Sequence, residues 1–108
     1  MNKKHAYLIM AHSEFSLLQK LLIMLDYDNN DIYIHIDKKV DHREFENSGD
    51  CIHNAKLFWI KRKSVAWATF SLVEVEIMLL EAATSSYHDY YHLLSGTDTQ
   101  GLLQGLLN

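Results

Sequence analysis

Apolar residues run unbroken from Ala6 to Ala11 and stop at His12 and Ser13. A short continuous apolar run with polar flanks predicts a strand buried on both faces, over His5 to Ala11. The period then changes. Phe15, Leu17, Leu18, Leu21, Leu22 and Leu25 recur at helical spacing. Ser13 offers a cap for that helix, and Glu14 puts negative charge in its first turn, where the helix dipole favours it. Asp26 to Asp31 reads as a turn cluster. Ile32 to Asp37 is β-branched and aromatic, a second strand. Lys38 to Asp50 is polar, with a short helix expected around Arg43 to Asn47. Leu57 to Ile60 gives a third strand, followed by the basic loop Lys61-Arg62-Lys63. Phe70 to Ala83 is the clearest helix, with a broad apolar face from Leu72 to Ala83. Asp89 to Leu94 gives a fourth strand, ended by Ser95-Gly96.

Strands alternating with helices predict an α/β fold with a mainly parallel sheet and right-handed crossovers. The pattern holds over 1–98. Residues 99–108 contain Gln-Gly-Leu-Leu twice, carry no charge and read as a divergent, low-complexity tail.

Composition narrows the function classes. The chain has 108 residues, 48% of them hydrophobic and 22% charged, which suits one globular core. A net charge of -4 argues against non-specific nucleic-acid binding, which needs a clustered basic surface. Cys51 is the single cysteine, so no internal disulfide is expected. The N-terminal apolar run is too short for a signal peptide, and no stretch approaches a membrane span. A cytoplasmic protein is the expectation.

In an open parallel sheet, ligands bind beyond the carboxyl ends of the strands. Those ends carry Ala11-His12, Asp37-Lys38-Lys39, Lys61 to Trp67, and Ser95 to Asp98. A carboxylate there accepts hydrogen bonds from a ribose or a uracil N–H. Neighbouring lysines face phosphates, and Trp67 stacks on a base or a sugar. Each residue also has a plain structural reading. His12 serves equally as a strand-end hydrogen-bonding residue, Asp37 to Lys39 as a solvated turn, Trp67 as a core plug, and Lys61 to Lys63 as a wet loop. No Gly-x-Gly-x-x-Gly or Walker pattern occurs, which disfavours the dinucleotide and P-loop folds. Asp26-Tyr27-Asp28 mimics a metal-chelating Asp-x-Asp, but it sits at the opposite end of the sheet and reads as turn chemistry. His35, Asp37, His88 and His92 do not share ligand geometry, so no metal is expected.

These strand ends also resemble a known family. Ala6 to His12, Ile34 to Lys39, Val65 to Ser71 and Tyr91 to Asp98 are similar to segments of the core-2/I-branching family of β-1,6-N-acetylglucosaminyltransferases and peptide O-xylosyltransferases. The likeness covers about Lys4 to Asp98. It implies a GT-A-like, Rossmann-like sheet with flanking helices, here its N-terminal half. It also implies a UDP-sugar donor (UDP-GlcNAc or UDP-xylose), a glycan or glycoconjugate acceptor, and inversion by direct displacement without a metal. By match of motif, Met10, Ala11 and His12 line the uridine pocket. Asp37 contacts the uridine with Lys38 and Lys39 beside it, Trp67 lies near the donor, and Asp98 lies close to the donor sugar.

Two departures matter. Trp67-Ala68-Thr69 stands where many relatives have Trp-Gly-Gly. After Asp98 the expected apolar residue and proline are replaced by Thr99-Gln100, and the whole chain lacks proline. The family's general base and the basic pair facing the diphosphate have no match here. The expectation is therefore an N-terminal fragment without turnover and with no catalytic residue assigned. Two other classes stay open. A nucleotidyltransferase-like domain would need a strand-end carboxylate pair, which is lacking. A self-associating interaction module would follow from an unfinished sheet with an open edge.

Overall fold

The structure is a computed structural model that describes residues 3–13, 15–65 and 70–94, with side chains of the last segment from residue 72. Strand β1 spans His5–Ala11, β2 Asn30–Ile36, β3 Lys56–Trp59 and β4 Tyr90–Leu94. Helix α1 covers Phe15–Met24 and α2 Phe70–Ala83. The four strands form one sheet in the order β3-β2-β1-β4, and every pairing is parallel. This is the expected α/β arrangement.

The pleat sorts side chains onto two faces. Ile9, Ala11, Ile32, Ile34 and Ile36 meet Leu18, Leu21 and Leu22 of α1. Ala6, Leu8, Met10 and Tyr33 meet Val75, Leu79 and Ala83 of α2 on the other face. A helix on each side covers the middle strands, so every residue of β2 is buried, and every residue of β1 but His5 and Tyr7. That is why β1 reads as an unbroken apolar run and β2 as a β-branched and aromatic one, rather than as alternation. The outer strands keep exposed apolar groups, with Phe58 and Trp59 on β3 and Tyr90, Tyr91 and Leu93 on β4. Helix α2 also carries more apolar surface than the sheet covers, leaving Val73, Ile77 and Leu80 exposed. No helix of the described residues is long and apolar enough to cross a membrane.

Two local expectations change. The short helix is a 3-10 turn over His42–Glu44, with the Asp41 carboxylate accepting the Arg43 N–H at its start. It begins before Arg43 and ends before Asn47, because Asp41 is the residue able to cap it. The turn cluster is also shorter than its composition suggested. Asn30 and Asp31 belong to β2 and are 5% and 4% exposed. Asn30 donates from Nδ2 to the Leu25 carbonyl at 2.8 Å. Asp31 accepts from His88 Nε2 at 2.7 Å, with Lys4 Nζ at 3.7 Å. Polar side chains enter the strand because each finds a buried partner from another part of the chain. His88 itself lies just before β4.

Asp26 remains a turn residue. Its carboxylate accepts the N–H groups of His53, Asn54 and Ala55 at 2.7–2.9 Å. Desolvation pushes its pKa up, but these three bonds outweigh it and hold the carboxyl below its ordinary value. Asp26 thus ties the loop before β3 to the amino-terminal end of the sheet, away from the strand ends that carry the site.

Candidate functional site

The chain leaves β1 toward β2 on one side, and α2 returns it to β4 on the other. The topological switch point therefore lies beside the carboxyl end of β1, where an open α/β sheet forms its ligand crevice. His12 stands at that point, half-buried in a bend. Met10 and Ala11 precede it, but their side chains are buried, Met10 on the α2 face and Ala11 on the α1 face. Their side chains belong to the two cores, so only backbone is left to them at the strand end.

Asp37 follows β2 directly, and its N–H donates to the Ala11 carbonyl at 3.1 Å, which joins the two strand ends. The residue is 2% exposed. Its Oδ1 accepts the Lys39 N–H at 3.0 Å, and Oδ2 lies 3.6 Å from Lys39 Nζ. Lys39 Nζ also donates to the Val65 carbonyl at 2.7 Å. Lys39 therefore braces the loop before α2 against Asp37, while Lys38 leaves its side chain exposed. The Lys38 N–H donates to the Lys63 carbonyl at 3.2 Å. A buried carboxylate with lysines on its solvent side suits a ligand having hydroxyl or N–H donors at one end and phosphate at the other.

The loop Lys61-Arg62-Lys63, whose plain reading is a wet loop, is tied through Arg62 to the turn after β2. Arg62 donates from Nε to the Ile36 carbonyl at 3.3 Å and from Nη2 to the Asp37 carbonyl at 2.9 Å. Nη2 also donates to the Val40 carbonyl. The guanidinium lies 4.8 Å from the Phe45 ring centroid. One side chain thus holds the turn after β2. Its partners are main-chain carbonyls, which carry no residue-specific signal, so the pattern of residues alone could not assign this role.

His35 is 1% exposed, and its Nε2 accepts the Lys63 N–H at 2.9 Å. Lys63 Nζ pairs with Glu74 Oε2 at 2.6 Å, linking the same loop to α2. Burial lowers the His35 pKa, the Asp37 charge opposes this, and the Arg62 charge adds to the lowering. The folded value lies below the ordinary one near 6.5, so above about pH 6.5 both states are neutral and this contribution is fully present. As pH falls from about 6.5 through the depressed folded value, the unfolded chain takes the proton first and stability drops. His92 shifts in the same direction, through burial and the nearby His5. The readout is therefore the difference between the chain and His35→Gln. Urea midpoints from about pH 7.5 to about pH 5 should fall less steeply in the variant. Equal slopes would remove the role given to His35.

Among the described residues, no group of three or more His, Cys, Asp or Glu side chains is placed to hold a metal ion. His35 and His88 are engaged separately, at opposite ends of β2. Trp67 and Asp98 lie outside the described residues, as do their neighbours 66–69 and 95–100.

A family model described as "Branch: Core-2/I-Branching enzyme" matches residues 5–100. No curated protein matches the chain. The match runs through the carboxyl ends of β1 and β2 and the loop that carries Arg62.

Proposed function

Because the chain belongs to the Core-2/I-Branching enzyme family and is a glycosyltransferase by family, we propose that it forms the uridine side of an inverting, metal-independent site for a UDP-sugar. The parent reaction is β-1,6-N-acetylglucosaminyl transfer or a close relative, from UDP-GlcNAc or UDP-xylose to a glycan hydroxyl. The observation that carries this reading is the buried Asp37 carboxylate beside the switch point, with Lys38 and Lys39 outside it.

In direct displacement the acceptor oxygen attacks the anomeric carbon as the UDP oxygen leaves. A base takes the hydroxyl proton, and positive charge stabilises the diphosphate. In the proposed arrangement Asp37 accepts from the ribose or from the uracil N–H. Backbone at Met10 and Ala11, with His12, walls the uridine. Lys38 and Lys39 lie on the phosphate side. Trp67 and Asp98 complete the donor contacts. None of these is assigned as the base, so the 108-residue chain alone is proposed to bind UDP without transferring sugar. A cytoplasmic location belongs to the same proposal, supported by the single thiol.

Titration of UDP into the isotope-labelled chain tests the site. Amide signals of Asp37, Lys38 and Lys39 should shift at millimolar UDP, and Asp37→Ala should weaken binding about tenfold or more, the value of a lost charged hydrogen bond. Unmoved signals at Asp37 would sink the assignment. Measurable sugar transfer by this chain would sink the claim of inactivity alone. Self-association is a second reading, supported by the exposed Tyr90, Tyr91 and Leu93 on edge strand β4. A monomer in size-exclusion chromatography would count against it.

A further inference from the structure

Beside the candidate nucleotide crevice, on the α1 face of the sheet, lies a cavity of about 260 Å³ between β2, β3 and the turn at His42–Glu44. The uridine contacts proposed above do not use it. Its apolar wall includes Ile36, Phe45 and Trp59, and its polar wall His42, Glu46 and Arg62. Phe45 is 7% exposed, whereas Trp59 is 43% exposed and shows a large apolar surface. The two rings lie 5.8 Å apart, inclined by 38°.

This wall is held in place. Gly49 packs behind Trp59 so closely that an added Cβ would sit 3.1 Å from Trp59 Cζ2 and 2.6 Å from Leu57 Cδ2. The Arg62 guanidinium is fixed by the carbonyls of Ile36 and Asp37 and by stacking on Phe45. Glu46 Oε2 and His42 Nε2 stand 4.0 Å apart, both largely exposed. Preformed, mostly apolar concavities with few converging polar groups are the usual form of small-molecule sites. At 260 Å³ this one is near the lower end of their size range, which suits one ring rather than a whole nucleotide.

We propose that this cavity binds a single hexopyranose ring of a glycan. A pyranose has a face of C–H groups and a rim of hydroxyls. The C–H face matches the aromatic surface of Trp59 and Phe45. A carboxylate accepts from neighbouring hydroxyls, and a planar guanidinium donates to ring or hydroxyl oxygens, so Glu46 and Arg62 supply both halves of that recognition. Arg62 also holds the Asp37 carbonyl, which places the sugar cavity next to the nucleotide crevice and mechanically coupled to it. The choice of a sugar over other rings rests on the glycosyltransferase reading, while its readout is separate from that of the donor site.

The test uses the whole chain labelled with nitrogen-15, with the Trp59 indole signal assigned by its loss in Trp59→Phe. Galactose, N-acetylglucosamine and N-acetylgalactosamine are titrated separately to about 100 mM, because one sugar ring binds weakly. UMP is titrated in parallel. At least one sugar should shift the Trp59 indole saturably, and its saturation-transfer signal should fall about fivefold in Trp59→Ala and in Glu46→Gln. Both side chains are exposed, and unchanged amide dispersion of the variants confirms that they fold. Absence of a saturable shift with every sugar overturns the proposal. So does a shift with UMP alone, which would make the cavity part of the nucleotide site. Sugar binding that survives Trp59→Ala overturns it as well. Failure of UDP to move Asp37 while sugars move Trp59 would sink the donor assignment and leave the sugar cavity standing.

Discussion

His88→Ala is expected to lose about 3 to 5 kcal/mol of folding stability, read as a large drop in the urea midpoint. The side chain of His88 is fully buried, and Nε2 meets Asp31 Oδ2 at 2.7 Å. Its ring also stands edge-on to Tyr33 and Tyr91. Truncation opens a cavity and strips a buried carboxylate of its nearest partner. Lys4 Nζ, at 3.7 Å, is then the nearest cation and is itself half in solvent. The contact links the first residues of β2 to the segment entering β4, 57 positions apart in the chain. Two further variants separate hydrogen bonding from packing. His88→Gln keeps a donor near the Nε2 position and should recover more than half of the loss. His88→Leu fills the space without a donor and should recover little. The reverse order would show that the ring acts by volume alone.

Arg62→Ala is expected to cost about 2 to 4 kcal/mol and to weaken UDP binding about tenfold. The side chain donates to three carbonyls at the end of β2 and covers Phe45. Without it, half-buried carbonyls lose charged donors, and the turn carrying Asp37, Lys38 and Lys39 loses its brace. Arg62→Lys should recover less than half, because an ammonium is a point donor and cannot span carbonyls that a planar fork reaches together. Hydrogen exchange at residues 37–40 gives a second measurement and should speed up in both variants. A loss below about 1 kcal/mol with unchanged exchange would show that the loop is held by the strand pairing instead.

The elements of this fold were legible because burial and period are local. An unbroken apolar run announced β1, a β-branched and aromatic segment announced β2, and a helical period announced α1 and α2. The place of Asp37 at the end of β2 was legible as well, since a strand-end carboxylate followed by lysines is a pattern in one short segment. Arg62 was not, because its partners are carbonyls that every residue possesses. Asn30 and Asp31 were misplaced for a related reason. Asn and Asp favour turns when alone, and a buried partner far along the chain overrode that preference.

The amino-acid pattern therefore settles the class of fold, where the strands end and the family to which the chain belongs. The tertiary structure alone decides which groups at those ends are free and which are already spoken for. It buries Met10 and Ala11, ties Lys39 to Val65 and Asp37, and makes Arg62 the link between the turn after β2 and the cavity lined by Phe45 and Trp59. The physical reason is that hydrophobic period depends on which residues are near in sequence. Hydrogen bonds to main chain, and cavities between strands, depend on which atoms are near in space.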